Sequence, residues 1–543
     1  MGSSSGGQTG SSSGGQTGSA SGGKIGSSSG GQSSGGQTGT SSGGVTGSGN
    51  QPGTSSGGMS GSAAGGITGA SGGSIASPLP QLVTSASGAY WKTDGAWTES
   101  TGNADVTVND GSVSQTWEGF GGAFNEMGWA ALQKLSEDDR KKALQLLFGD
   151  DGARFNMGRI PMGASDYSCD DITKYPSCDP AKSRYTLDET ANDTSLNSFS
   201  LDRDKKALIP YVQAALAIRP DMRLWASPWT PPTWMKSGMK SGNKPSAFDG
   251  GNMKNDDGIL TAYAQYFVKF VQGYKDQNIT IEAVAPQNEP NFDQNYPSCL
   301  WDTALYTKFV GQKLGPALDA AGMGTKIMLG TMSNSDKDPA IVTSVLNDSI
   351  AKKYVKVMGF QWGMKTHTNV ANGMTIWQTE HMCGNYPFGT SGESPAPGPS
   401  NSSKAPNDQA YGAETWGLIR DWIKAGVTSY SAWNMVLDTV GIGIDTTRTW
   451  PQDSLLTVDT SAGKLNLAPA YYVFRHFSQF AQTGAHVVGT SGGDAIAFKN
   501  PDGSLVAVVY NSGSAKAMTV SIGGKKLQFS MPGNGWATVD YKP

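Results

Sequence analysis

The sequence predicts an α/β fold, a closed (β/α)8 TIM barrel with an attached β-sandwich. Three observations predict it. Between residues 117 and 434 eight short, almost uniformly apolar runs alternate with amphipathic stretches. After residue 481 the hydrophobic period drops to two, and residues 89–115 have the same short period although they precede the barrel. The sandwich is therefore expected to combine the C-terminal strands with an N-terminal segment, tying both ends of the fold together.

The N-terminal region is different in kind. Of the 74 glycines in 543 residues, 28 fall within the first 80, and Lys24 is the only charged side chain before residue 92. Such a stretch has almost no large apolar side chains to offset the entropy of ordering, so residues 1–80 are expected to be a disordered Gly/Ser-rich linker. It repeats: Ser3–Gly10 and Ser11–Gly18 are the same octapeptide, and degraded copies run to about Ser77. A period of eight with no apolar position has nothing to stack, which makes a spacer and not a solenoid. A surface tether and inert low-complexity drift both fit. Residues 81–115 are then expected to be strands joining the sandwich, 116–482 the barrel, and 483–543 the rest of the sandwich.

The barrel strands are expected at 117–124, 154–163, 222–229, 279–289, 326–332, 355–362, 374–380 and 427–434. Helical stretches lie between them, such as Ser136–Leu147, Asp202–Ala217, Ile259–Tyr274 and Trp301–Ala321. No glycine-rich dinucleotide loop follows any strand, which disfavours an open doubly wound sheet. A helix at Ala468–Ala481 leads into six short alternating strands divided by Gly, Asn-Pro-Asp-Gly and Asn-Ser-Gly turns.

Charge narrows the partners. The 41 basic and 45 acidic residues give a net charge of −4, with no basic stripe of the kind nucleic acid demands. No apolar run approaches the length of a membrane span, and no signal peptide is visible at the N-terminus.

In a barrel, the C-terminal ends of the strands converge on one mouth. Two strand ends carry a carboxylate after an apolar run, Glu289 on the fourth strand and Glu380 on the seventh. A carboxylate finishing a buried strand is desolvated unless it is used or paired. One such residue fits an internal salt bridge; two, surrounded by Trp-rich loops, fit glycoside hydrolysis, which needs one protonated acid and one ionised carboxylate. Asn288 beside Glu289 is suited to hold a sugar hydroxyl next to the cleaved bond.

The motifs GFGGAFNE (119–126), GRIPMGASDYS (158–168), ASPWTPPTWMK (226–236), QNEP (287–290), TEHMCG (379–384) and WNMVLD (433–438) occur in order. With them the chain resembles glycoside hydrolase family 30, a group of retaining enzymes containing glucosylceramidases, endo-β-1,6-glucanases and xylan-acting members. The resemblance implies that Glu289 is the acid/base and Glu380 the nucleophile of a double displacement through a covalent glycosyl-enzyme. It also places Arg159, Asp166, Trp229, Asn288 and Trp433 around the sugar, with Trp234 lining an outer subsite. One departure stands out: the family's His-Trp-Tyr at the end of the sixth strand is Gln361-Trp362-Gly363 here. The hydroxyl expected against the nucleophile is missing, and His381 or Tyr430 is a candidate replacement.

The four histidines form no ligand-spaced pair, so no metal and no cofactor is expected. The four cysteines predict bridges Cys169–Cys178 and Cys299–Cys383, with free thiols as the alternative. Bridges would mean an oxidising compartment, hence an extracellular or cell-surface-tethered enzyme. The expected protein is a monomer acting on a β-glucan or β-glucoside. A xylan-acting enzyme and a non-catalytic carbohydrate-binding protein on the same barrel are the alternatives.

Overall fold

The described chain begins in four strands, β1 (Gln81–Ala86), β2 (Ala89–Lys92), β3 (Trp97–Glu99) and β4 (Val106–Thr116); β2 pairs with β1 at the edge, and the other three find partners at the opposite end of the sequence. The computed structural model describes residues 81–238, 244, 246–381, 409–447 and 451–543. The expected linker at 1–80 lies outside them.

The barrel strands follow: β5 (Gly119–Ala123), β6 (Met157–Pro161), β7 (Arg223–Ser227), then, after a small hairpin of β8 (Lys236–Ser237) and β9 (Asn252–Met253), β10 (Ile281–Val284), β11 (Lys326–Met332), β12 (Val355–Phe360), β13 (Ile376–Gln378) and β14 (Ser429–Asn434). All eight are parallel, and β14 closes on β5 through Ser429↔Gly119 to Asn434↔Ala123. Their inward side chains Met157, Trp225, Ala283, Met328, Val357 and Trp377 fill the interior as a cluster of their own. Gly121 is required by this closeness, since a Cβ there would stand 1.8 Å from the Met157 carbonyl oxygen.

Helices cover the barrel, and their starts are written in the sequence: Asn125 caps α1 (Glu126–Leu132), Ser136 caps α2 (Glu137–Phe148), and Asp256 caps the long helix Asp257–Lys275, each by accepting a main-chain N–H of the first turn. The single helix expected over 301–321 is two, Thr303–Phe309 and Gly315–Ala321, joined by a π-helical turn at Val310–Leu314. An unexpected small sheet, β15 (Val436–Asp438), β16 (Leu456–Asp459) and β17 (Lys464–Leu467), follows the last barrel strand.

The remaining strands, β18 (His486–Ser491), β19 (Asp494–Lys499), β20 (Leu505–Asn511), β21 (Lys516–Ile522), β22 (Lys525–Met531) and β23 (Gly535–Tyr541), join β1–β4 in one ten-stranded sheet. The N-terminal strand β1 runs antiparallel to the C-terminal β23 from Gln81↔Asp540 to Ser85↔Trp536. Strand β4 pairs with β18 on one side and β21 on the other, with register shifts along β18. Side chains of both wings, including Leu82, Ala507, Val520, Phe529 and Val539, share one buried cluster, which makes the sheet a sandwich folded about β4. His476, from the helix Pro469–Ser478, fastens barrel to sandwich through Ser85 and Thr538, each at 2.8 Å.

Cys169 and Cys178 are bridged, with Cα atoms 5.3 Å apart. The second expected bridge does not form at Cys299, a free and fully buried thiol that donates to the Leu300 carbonyl and whose pKa burial pushes up to about 12. Its predicted partner Cys383 lies outside the described residues. Cysteine order along the chain carried no information about which way Cys299 turns.

Candidate active site

Arg159 sits in the middle of β6 and is completely buried, an expensive place for a charge unless partners surround it. Its guanidinium donates to Glu380 Oε2 at 2.5 Å, to Asn288 Oδ1 at 2.6 Å and to Ser227 Oγ at 3.1 Å. It also lies 4.3 Å from the ring centre of Trp229, which stacks on Trp433. Burial works against the Arg159 charge, and Glu380, with Asp166 further off, holds it. One cation from the second barrel strand thereby fixes residues from the third, fourth and seventh.

The two predicted carboxylates meet in this mouth. Glu289 and Glu380 line one cavity of about 340 Å3 together with Asp166, Trp362, Trp433 and Gln452. Glu289 lies five residues beyond β10 and Glu380 two beyond β13, so both are carried by strand ends. Glu289 adopts a left-handed backbone with φ 49°, an unfavourable conformation for a side chain of its size, held by its N–H to the Thr331 carbonyl at 3.0 Å.

Consecutive residues after β12 grip both carboxylates. Gln361 Nε2 donates to Glu289 Oε1 at 3.2 Å, and Trp362 Nε1 donates to Glu380 Oε1 at 3.0 Å. Successive side chains normally point to opposite sides of a strand, and here the left-handed backbone of Trp362, φ 49°, turns both into the mouth. The Thr379 hydroxyl donates to Gln361 Oε1 at 2.8 Å, which fixes the amide with its N–H groups toward Glu289. Gly363 stands where the tyrosine hydroxyl was expected, and the donor that this strand end gives to Glu380 is the Trp362 indole N–H.

The environments of the two glutamates differ. Glu380 accepts a guanidinium and an indole donor. Burial, and then the charge of Glu380, push the Glu289 carboxyl up to about 8, against the smaller opposing pulls of Gln361 and Arg159. At neutral pH Glu289 is a protonated acid beside a cavity, and Glu380 is held by donors suited to an anion: the division of labour that glycoside hydrolysis needs.

The other predicted site residues divide. Asp166, Asn288 and Trp433 are in or beside the cavity, and Trp229 lies one layer down against Arg159. Trp234 is not part of the cavity wall; after the Pro231-Pro232 turn its indole points into the core and donates to the Asp188 carbonyl at 3.2 Å. His381 is likewise turned away, because it follows Glu380 in extended chain and faces the outer helices. Its ring meets the Tyr430 hydroxyl at 2.5 Å and the edge of Phe474, and burial drives its pKa down to about 3. Neither His381 nor Tyr430 replaces the missing hydroxyl.

Sequence reasoning missed Ser227, Thr331 and Thr379, polar residues at strand ends whose hydroxyls orient Arg159, Asn288 and Gln361. Their signal was a hydroxyl closing an apolar run. A second polar cluster lies outside the cavity, where Glu126 and Asp204, both fully buried, share the Tyr185 hydroxyl at 2.7 and 3.1 Å and Asp204 also accepts from Tyr274 at 2.8 Å. Burial raises Glu126 to about 8 and Asp204 to about 7.

The loops around the mouth are joined at Arg184. This buried side chain donates to Asp249 through Nε at 3.0 Å and to the carbonyls of Pro180, Asn295 and Ile444 at 2.6, 2.9 and 3.1 Å. Those partners belong to the loops that follow β6, β7, β10 and β14.

Comparison with known proteins matches the glycosyl hydrolase family 30 TIM-barrel domain to residues 117–481 and the family 30 beta sandwich domain to residues 484–539. Putative glucosylceramidase 1 of Caenorhabditis elegans is 28% identical over 446 residues, covering 79% of this chain and 81% of the relative. An endo-1,6-beta-D-glucanase of Neurospora crassa is 29% identical over 465 residues, covering 80% and 85%. Among solved structures, an endo-beta1,6-glucanase superposes with a TM-score of 0.71 at 23% identity, over 85% of this chain and 99% of its own. No helix among the described residues is long and apolar enough to cross a membrane.

Proposed function

Because the chain belongs to glycosyl hydrolase family 30, we propose that it cleaves β-glucosidic bonds with retention of configuration, Glu289 acting as acid/base and Glu380 as nucleophile. The observation that carries this reading is the opposite treatment of two carboxyls in one cavity, Glu289 held protonated with a pKa of about 8 and Glu380 held by Arg159 and Trp362. Glu380 attacks the anomeric carbon while Glu289 gives its proton to the leaving oxygen, so the leaving group departs neutral. The resulting glycosyl-enzyme removes the Glu380 charge, which lowers the affinity of Glu289 for a proton and fits it to deprotonate the incoming water. Asn288, oriented by Arg159 and the Thr331 hydroxyl, offers its amide N–H groups to a sugar hydroxyl. Asp166 on the same cavity has a carboxylate suited to accept from two others, and Trp433 an indole face for the apolar side of the ring.

Relatives named for glucosylceramide and for β-1,6-glucan make those the two substrate classes in view. The bridge Cys169–Cys178 supports work in an oxidising, extracytoplasmic place. The test is Glu380→Gln, which keeps shape and removes the attacking charge: turnover of an aryl β-glucoside is abolished while the fold is kept, and the wild-type product appears first as the β-anomer. Substantial residual hydrolysis, or first release of the α-anomer, refutes the assignment.

A further inference from the structure

Four large hydrophobic side chains are well exposed among the described residues, Val113, Phe292, Ile350 and Val440, and of these Phe292, 43% exposed, lines the cavity that holds Glu289 and Glu380. Phe292 has no polar group to satisfy, so its exposure in a cavity marks a surface made to be covered. It sits on the turn that carries the acid: its main-chain N–H donates to the Glu289 carbonyl at 3.0 Å.

A polar strip, Ser333–Asp336, lines the same cavity. A buried carboxylate rivets the two together. Asp338 accepts the Asn291 amide at 2.6 Å on one oxygen and the main-chain N–H groups of Ser333 and Asn334 at 2.7 and 2.8 Å on the other. The Phe292 turn and the Ser333 strip are thus held at a set spacing. Within the strip the Ser333 hydroxyl is buried without a hydrogen-bond partner, a cost that a ligand's hydroxyl would remove. The Asp336 carboxylate stands exposed at the rim.

Resting on the assignment of Glu289 as the acid, we propose that this pair of walls is a subsite for a second sugar, with Phe292 under the apolar face of the ring and Ser333 and Asp336 on its hydroxyls, so that the natural leaving group is a glycosyl residue. A pyranose has one apolar C–H face and a belt of hydroxyls, and the walls match it side for side. A two-chain lipid asks for broad apolar surface, whereas here it would press acyl carbon against a carboxylate and an unpaired hydroxyl.

The test compares kcat/KM for three substrates: the best cleaved of the four β-linked glucobioses, β-glucosyl fluoride, whose leaving group fills no such subsite, and glucosylceramide in detergent micelles. Phe292→Ala and Ser333→Ala are each expected to lower the glucobiose value about tenfold more than the fluoride value, and Phe292→Tyr to restore most of it. Equal losses on glucobiose and fluoride overturn the subsite and leave the glycosidase mechanism standing. So does a wild-type preference for glucosylceramide that Phe292→Ala diminishes. Failure of the wild-type enzyme to cleave the fluoride overturns both.

Discussion

Replacing Gln361 by leucine should extend activity to higher pH. The wild-type alkaline limit of kcat/KM is set by loss of the Glu289 proton, at about 8. Gln361 stabilises the ionised form of that carboxyl, with its amide donor fixed toward Glu289 Oε1 at 3.2 Å by the Thr379 hydroxyl. Without this donor the proton is held more tightly, so the limit rises. A hydrogen bond to a charged group contributes about 1.5–3 kcal/mol, and this one is long, so we take about 1.5 kcal/mol. At about 1.4 kcal/mol per pH unit the limit moves up by about one pH unit. Leucine fills a similar volume, and Thr379 keeps an acceptor in the Phe360 carbonyl at 3.2 Å, so no hydroxyl is stranded. The assay is the pH dependence of kcat/KM on a β-glucoside with a poor leaving group, which requires the acid. A dinitrophenyl β-glucoside, which needs no protonation to depart, serves as control and should show no alkaline limit in either protein. An alkaline limit that stays in place or falls in Gln361→Leu refutes the role given to the amide.

Trp362→Phe keeps the ring and removes one donor from Glu380, and kcat/KM on the same substrate should fall about 10–100-fold with little change in melting temperature. Reducing or replacing the Cys169–Cys178 bridge opens a short loop and should destabilise the fold by about 2.5 kcal/mol, read by denaturant unfolding. Stability should decline between about pH 5 and 8 on account of Glu126. Below the unfolded value both states carry the proton; above it the unfolded chain releases the proton while the buried side chain keeps it until about 8, so rising pH favours unfolding. Glu126→Gln should flatten that decline in a series of thermal melts, and an unchanged slope would count against a buried neutral carboxyl.

The barrel was legible because strands covered on both faces leave an unmistakable trace, and all eight barrel strands, β5–β7 and β10–β14, fall inside the apolar runs read from the sequence. Glu289 and Glu380 were legible for a related reason: a carboxylate ending such a run has few uses. What could not be read was direction. Trp234 and His381 stand beside cavity residues in sequence, yet a proline turn and strand alternation send both side chains away from the cavity. Trp362 is the converse, a residue whose part in the site depends on a left-handed backbone that no residue preference announces. Cys299 shows the limit for pairing, since its thiol is buried away from any bridge.

The knot at Arg184 bears on how this scaffold can be changed. Loops of a barrel are commonly regarded as separable parts, to be exchanged one at a time for new specificity. Here four of them converge on a single guanidinium, mostly through main-chain carbonyls that any replacement would have to return to the same points. Grafting one loop alone would remove the cation, which the loop after β6 carries, or one of its partners, and the cost would appear in the three loops left untouched. Recombination between relatives should therefore succeed when the loops after β6, β7, β10 and β14 travel as one inherited block.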